Sequence, residues 1–228
     1  MAKIGPYVPR TYDGVLLTPS PAFILGCGPT LPERLNALDG LLTFGVNRVF
    51  ERIDPTVFFW LDSPVAEIAA DYLKTCRAVK IAGPEAEAFG VADFVLQPLG
   101  SSADRRYCPP PPGYFPAAMN SGASAAFLAM ALGCNPIYLL GMSATAIEGR
   151  DHFSGVNPLH QRASLARMSR ALAALLEYPG VFQLAGQPEL DWAASVWRPS
   201  AKGRENYARK FINWQAGVYP GQRPPASD

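Results

Sequence analysis

The chain has 228 residues, of which 49% are hydrophobic and 17% charged, with 20 Lys and Arg against 19 Asp and Glu. This balance is typical of a globular protein and argues against disorder, and no apolar run reaches the roughly 20 residues that a membrane span needs. Because residues 1–6 lack the apolar core of a signal peptide, we expect a cytoplasmic protein.

Neither the cysteines nor the histidines are spaced like metal ligands. The four cysteines stand far apart, at Cys27, Cys76, Cys108 and Cys134. The two histidines, His152 and His160, are eight residues apart, which matches no common helical ligand spacing. We therefore expect reduced, mostly buried thiols and no structural metal.

Short apolar runs alternate with helical patterns along the chain, as in βαβ units around a parallel sheet. In chain order, strands are predicted over residues 22–25, 41–46, 57–61, 79–81, 94–96, 137–140 and 181–184. Helices are predicted from Thr30, where Thr30-Leu31-Pro32-Glu33 forms a capping box, and over residues 64–75, 120–133 and 160–178. Residues 97–119 are predicted to be an irregular loop, either a lid or a stiff surface spacer.

These elements predict an α/β fold with a doubly wound, mostly parallel sheet. The expected architecture is Rossmann-like, a GT-A-type variant, with a short irregular C-terminal extension. We divide it into a donor-binding domain over residues 1–194 and a basic, aromatic segment over residues 195–228 packed on it.

The first strand runs into a glycine turn, Gly26-Cys27-Gly28-Pro29-Thr30. A turn of this kind before a capped helix exposes backbone N–H groups at the positive end of the helix, and glycine lets a phosphate approach closely. Leu31 stands where the dinucleotide fingerprint has its third glycine, and the P-loop lysine is missing. The turn is thus predicted to bind the phosphates of a nucleotide-activated donor; a plain tight turn is the alternative.

Polar residues follow three of the predicted strands, namely Asn47, Asp62 and Ser143. Ligands of doubly wound sheets bind at this edge, so these residues predict a binding cleft there. Asn120-Ser121-Gly122 begins an apolar helix. These residues are predicted to cap the helix, and they are also candidates for a second contact to the phosphate or ribose of the donor.

His152 lies in a polar loop before the last long helix, which suits a proton acceptor near neutral pH. A structural histidine is the alternative for this position. His160 is predicted to lie in the first turn of the following helix.

Residues 195–228 hold six basic and two acidic side chains, interleaved with aromatic residues. This composition fits either an amphipathic helix packed on the domain, which we favour, or a surface that stacks on nucleic acid. Arg204 and Trp214 are the candidate acceptor contacts in this segment.

Four ordered segments, residues 24–31, 46–48, 120–122 and 132–142, resemble a known group of enzymes. The group comprises bacterial CMP-sialic-acid-dependent sialyltransferases, flagellin-glycosylation (motility accessory) factors and an archaeal-type hydroxymethylpterin pyrophosphokinase. The resemblance covers about residues 20–156.

The resemblance implies that the glycine turn and Asn47 hold the nucleotide, with further contacts from Ser121 and Gly122. It also implies that His152, in Asp151-His152-Phe153-Ser154-Gly155, is the catalytic base of an inverting, metal-independent transfer. Two positions depart from the pattern: Phe153 replaces a tyrosine, and Ser143 replaces an acidic residue. The phosphate-neutralising tyrosines are also missing, and Tyr107, Tyr114 and Arg150 are the candidates to replace them.

We therefore predict a glycosyltransferase that uses a nucleotide-sugar co-substrate and has no permanently bound cofactor. A CMP-sialate, a UDP-sugar and another activated donor all remain open. The acceptor is a lipid-linked glycan, a protein or a hydroxymethylated base in DNA, the last in a phage-infected bacterium. A Mg²⁺-dependent pyrophosphokinase and a non-catalytic nucleotide-binding module are the alternatives, and a homo-oligomer is open.

Overall fold

The computed structural model describes residues 11–12, 15–16, 21–98, 114–115, 120–144, 146–149, 152–154 and 162–197. Seven described strands form one sheet: β1 Ala22–Leu25, β2 Thr43–Val46, β3 Val57–Trp60, β4 Val79–Ala82, β5 Phe94–Val95, β6 Ile137–Leu140 and β7 Val181–Gln183. Two short pairs complete the described strands. Thr11–Tyr12 pairs antiparallel with Val15–Leu16, and Gln97–Pro98 pairs parallel with Tyr114–Phe115.

The sheet has the strand order β7-β6-β1-β2-β3-β4-β5, and all its pairings are parallel. Ile24 in β1 lies opposite Phe44 in β2 on one side and Leu139 in β6 on the other. The order therefore reverses between β1 and β6, which is the point where ligands bind in sheets of this kind. The predicted doubly wound, Rossmann-like sheet is confirmed.

Five α-helices are described: α1 Ser63–Ile68, α2 Ala70–Thr75, α3 Ser121–Ala131, α4 Arg162–Leu176 and α5 Gln187–Val196. Short 3-10 helices cover Asn36–Leu38, Asn47–Glu51 and Pro84–Phe89. Within the described ranges, no helix combines the length and the apolar character that a membrane crossing requires.

Both faces of the four central strands β6, β1, β2 and β3 are buried, which explains why these strands appear in the sequence as continuous apolar runs. Ile24 and Phe44 face α3 and α4, whereas Phe23 and Leu25 face α5. Farther along the second face, Trp60 and its neighbours pack against α1 and α2. Each buried side chain of this size contributes roughly 1.5–3 kcal/mol to folding.

The buried residues of helix α3 are small (Ala, Ser and Gly) except for Leu128, which lets the helix pack closely on the sheet. Its N-cap is Asn120, whose side chain accepts a hydrogen bond from the Ala123 N–H at 2.8 Å. The helix ends before Gly133, which has a φ of 76° as expected of a residue after a helix C-cap. The prediction of a capped helix here is confirmed.

The α-helix predicted from Thr30 is wrong, since only Asn36–Leu38 is helical there, as a single 3-10 turn. A proline in the first turn is compatible with a helix, so the cause is tertiary: α5 supplies hydrogen bonds to this segment in place of the missing helix. Gln187 Nε2 donates to the Arg34 carbonyl at 3.0 Å, and the Arg34 N–H donates to Gln187 Oε1 at 3.2 Å. No α-helix dipole therefore points at the glycine turn from this segment.

Two other helix predictions need correction. The helix predicted over residues 64–75 is divided at Ala69, where φ is −90° and ψ is 6°. Helix α5 was missed, although Pro188 and Glu189 in its first turn are helix-start signals. The boundary between the predicted domain and the basic segment, placed after residue 194 on the basis of charge, falls inside α5, which ends at Val196. Residues 198–228 lie outside the described residues.

Candidate functional site

The chain segments that leave β1 and β6 cross at the point where the strand order reverses. The Gly26 N–H donates to the Leu140 carbonyl at 2.8 Å, and the Gly28 N–H donates to the Gly141 carbonyl at 2.7 Å. These two N–H groups therefore bind the neighbouring strand end. They are not available to a phosphate in this arrangement, and the predicted role of the turn as a phosphate holder stays a prediction.

The glycines are needed for the close approach of these two segments. A Cβ on Gly26 would lie 2.5 Å from the Gly141 carbonyl oxygen, and a Cβ on Gly28 would lie 2.7 Å from the same atom. Gly141 also has a φ of 60°, in the left-handed region. The glycines of the turn thus allow the backbones after β1 and β6 to pack directly against each other, and this contact fixes the positions of the neighbouring polar residues.

Four buried side-chain polar atoms of the described residues have no hydrogen-bond partner, and three of them follow the strands at this edge. The three are Thr30 Oγ1 after β1, Asn47 Oδ1 after β2 and Ser143 Oγ after β6; the fourth is Trp60 Nε1. Buried polar groups almost always have partners, so a group of exceptions at one sheet edge indicates a ligand site. Thr30, Asn47 and Ser143 were all predicted from sequence as site residues, and all three lie at this edge of the sheet.

Asn47 is held in a conformation that few residues adopt. Its φ is 54°, in the left-handed region where asparagine is tolerated better than most side chains. This backbone turns the chain immediately after β2. Unusual φ values in residues other than glycine are often found at functional sites.

The side chain of Cys27 is directed towards the end of β2. Its Sγ donates to the Val46 carbonyl at 3.3 Å. Burial raises the pKa of this thiol to about 12, and the nearby Glu51 carboxylate acts in the same direction. Cys27 therefore fits the reduced, buried thiol predicted from sequence and is chemically inert near neutral pH.

We expect Cys27 to resist alkylation in the folded protein at pH 8.5 by about 10³-fold relative to the urea-unfolded chain, because thiolate is the reactive form. Mass spectrometry of iodoacetamide-treated protein measures this. As pH rises from about 9 towards 12, the unfolded thiol ionises while the folded one stays protonated, so this group lowers stability over that range. Fast labelling of the folded protein at Cys27 would contradict the expectation.

A methionine separates the glycine turn from the start of α3. The Met142 Sδ lies 2.9 Å from the position of a Cβ on Gly26 and 2.5 Å from that of a Cβ on Gly122. Ser121 beside it is buried, with 6% of its surface exposed. Met142 was not among the predicted site residues; its place directly before Ser143 was the available signal.

His152 lies next to the glycine turn, because the N–H of Phe153 donates to the Cys27 carbonyl at 2.8 Å. The imidazole is buried, with 2% of the residue exposed. The Ser154 N–H donates to His152 Nδ1 at 3.1 Å, and Ser154 Oγ lies 2.7 Å from the same nitrogen. Since Nδ1 accepts a backbone N–H, the neutral ring carries its hydrogen on Nε2.

Arg52 is a further residue at this site that sequence reasoning missed. Its guanidinium lies over the Phe153 ring, 5.5 Å from the ring centroid, and its Nη2 donates to the Glu33 carbonyl at 3.0 Å. This contact joins the chain after β2 to the 152–154 segment. No sequence motif marks Arg52.

Of the other predicted site residues, Asp62 lies away from the glycine turn, and the side chains of the rest lie outside the described residues. Asp62 follows β3, which is two strands away from β1, and partial burial together with the Glu85 carboxylate raises its pKa. Outside the described residues lie Arg150, Arg204, Trp214 and the side chain of Tyr114. The described ranges contain no group of three or more His, Cys, Asp and Glu side chains that could hold a metal ion.

Comparisons with known proteins find a related fold without a related sequence. No family model and no curated protein matches the sequence. Among solved structures, the chain is similar to the MAf glycosyltransferase from Magnetospirillum magneticum AMB-1, with a TM-score of 0.53 and 13% identity. The match covers 89% of this chain and 38% of that protein, so this chain has the fold of a part of that glycosyltransferase.

Proposed function

We propose that this protein is a glycosyltransferase that binds a nucleotide-sugar donor at the crossing of the β1 and β6 segments. The observation that carries the proposal is the group of three buried, partnerless polar atoms on Thr30, Asn47 and Ser143. The likeness of the fold to a part of a glycosyltransferase supports the reaction class.

Each of these atoms has a defined capacity for hydrogen bonding. Asn47 Oδ1 accepts only, so it suits a hydroxyl or an N–H of the donor. The hydroxyls of Thr30 and Ser143 donate as well as accept, so they suit phosphate or sugar oxygens. Together they suit a ligand with both acceptor and donor groups, as a nucleotide-sugar has.

His152 is the catalytic candidate, and its hydrogen-bonding pattern refines the role. A base that takes a proton at Nε2 needs a hydrogen on Nδ1, whereas here Nδ1 accepts from Ser154. We propose that His152 donates from Nε2–H to the ligand, and this donation stabilises the negative charge that develops on the leaving group.

The acceptor is proposed from sequence alone. The basic segment 195–228, most of which lies outside the described residues, is the reason for keeping a hydroxymethylated DNA base beside a lipid-linked glycan and a protein as a candidate acceptor. Incubation with a nucleotide-sugar panel and hydroxymethylated duplex DNA, followed by digestion to nucleosides, tests it. A nucleoside with the added mass of one sugar supports a DNA acceptor, and its absence beside glycan or protein labelling excludes one.

We expect CMP- or UDP-type nucleotides to raise the Tm of the wild-type protein in EDTA. A ligand at 100 times its Kd contributes about 2.7 kcal/mol of stability, which corresponds to about 5–10 °C for a domain of this size. Differential scanning fluorimetry with CMP-, UDP-, GDP- and adenine nucleotides, each with EDTA or with Mg²⁺, measures the shift. Stabilisation by ATP that requires Mg²⁺ would instead support the pyrophosphokinase alternative.

A further inference from the structure

Ser143 Oγ lies directly over the backbone of the glycine turn. A Cβ on Gly28 would be 2.5 Å from Ser143 Oγ, so this hydroxyl occupies the place that a side chain at residue 28 would need. Only 7% of the surface of Ser143 is exposed, and its Oγ has no hydrogen-bond partner. The left-handed φ of Gly141 turns the chain towards this position after β6.

Thr30 supplies a second hydroxyl beside the same glycine. The Leu31 N–H donates to the Gly28 carbonyl at 3.0 Å, which closes a tight turn with Thr30 at its corner. Thr30 Oγ1 is buried and has no partner. Two buried hydroxyl groups, each with a hydrogen to donate, therefore belong to the Gly28–Leu31 turn and to the residue packed on it.

The charge of the side chain at position 143 determines whether an anionic ligand can bind beside Gly28. A carboxylate held there would repel an anion, whereas a hydroxyl donates a hydrogen bond to one. The two hydroxyls are neutral donors, so they can bind a phosphate oxygen. Asn47 Oδ1, after the neighbouring strand β2, accepts from a hydroxyl or N–H of the same ligand.

We propose that Ser143 and Thr30 form a neutral phosphate subsite and that Ser143 determines specificity for ligands with a phosphate ester. This inference deepens the proposed function and rests on it for the place of the ligand. It makes a separate claim about binding, because the subsite holds the phosphate whether or not a sugar is transferred. The ligand class is a nucleoside phosphate.

The hydroxyl of Ser143 is expected to lower the folding stability of the protein while it strengthens the binding of the phosphate. A buried hydroxyl without a partner costs folding free energy, which truncation to alanine removes. Thr56 provides the matched contrast at the opposite end of the sheet, because its buried Oγ1 donates to the Leu41 carbonyl at 3.1 Å and its N–H donates to Thr43 Oγ1 at 2.8 Å. Removal of that partnered hydroxyl lowers stability and leaves the phosphate subsite intact.

The test compares Ser143→Ala, Ser143→Asp and Ser143→Asn with Thr56→Val in the full-length protein. Isothermal titration with CMP, UMP, GMP and AMP, and with their nucleosides, gives the affinities, and thermal denaturation gives Tm. We expect the best wild-type nucleotide to bind about tenfold more weakly to Ser143→Ala and at least 100-fold more weakly to Ser143→Asp. The size-matched Ser143→Asn separates the effect of charge from that of volume and loses less affinity than Ser143→Asp.

We also expect Ser143→Ala to keep or raise the wild-type Tm, while Thr56→Val lowers Tm and keeps the wild-type affinity. Equal affinities of Ser143→Asp and Ser143→Asn overturn the proposal, as does a wild-type protein that binds none of the nucleotides. The expected binding pattern without sugar transfer from any donor leaves the subsite standing and refutes the glycosyltransferase proposal instead.

Discussion

Gly141→Ala is expected to destabilise the protein by about 3 kcal/mol or more, which is a large part of the 5–15 kcal/mol that holds a typical domain folded. Its φ of 60° costs an alanine roughly 1–2 kcal/mol. In addition, the new Cβ would collide with the Gly26 carbonyl oxygen and lie 2.9 Å from Leu31 Cβ. Overpacking of this kind typically costs about 1–3 kcal/mol.

The backbone contact makes this collision difficult to relieve. Gly26 is tied to β6 through the hydrogen bond of its N–H to the Leu140 carbonyl, so β1 and β6 would have to separate. Urea denaturation monitored by circular dichroism measures the change in the free energy of unfolding.

Gly90→Ala is the matched control for this prediction. Gly90 has a similar φ of 59°, but a Cβ there would meet nothing within 4 Å. The control therefore carries the backbone strain alone, about 1–2 kcal/mol. If the two alanine variants are equally stable, the crossing of the β1 and β6 segments is looser than described.

His152→Ala is expected to lower kcat by about 100-fold or more under the proposed function, because a positioned donor at a developing charge is worth about that much. Nucleotide affinity should change far less, since the partnerless groups of Thr30, Asn47 and Ser143 remain. Steady-state kinetics with the donor that stabilises the protein measures kcat and KM. Unchanged turnover in His152→Ala would favour a non-catalytic nucleotide-binding module.

His152→Gln and His152→Asn distinguish a donor from a base. The glutamine amide nitrogen can reach the position of Nε2 and donate there, whereas the asparagine amide lies near Nδ1 and neither amide can accept a proton as a base. A donor role predicts that His152→Gln keeps at least ten times the kcat of His152→Ala and that His152→Asn does not. Equal losses in all three variants would return His152 to the role of a base.

The site depends on a few side chains whose chemical types were visible in the sequence. Asn47 and Ser143 were selected because each follows an apolar run, and the structure places them after β2 and β6 at one edge of the sheet. The apolar runs were sufficient to locate the seven strands of the main sheet, since strands buried on both faces leave a continuous apolar signal. The two-residue strands of the short pairs were not predicted, and one pair lies within residues 97–119, which were predicted to be irregular.

Other features required the folded chain because they depend on distant partners. The helix expected from Thr30 does not form, and the two hydrogen bonds between Gln187 and Arg34 join residues that are 153 positions apart. The contact of Arg52 with Phe153 is equally non-local. Local sequence patterns contain no information about such partners.

The sequence by itself determined the parallel sheet, the capped start of α3 and the importance of the glycine turn, because these follow from local periodicity, capping and the lack of a Cβ. Only the tertiary structure decided what the glycine turn does. The N–H groups of Gly26 and Gly28 bind the end of β6, and the two glycines make room for Gly141 and Ser143. These contacts could not be predicted from the sequence, because hydrogen-bond partners in a folded chain are set by which strands become neighbours.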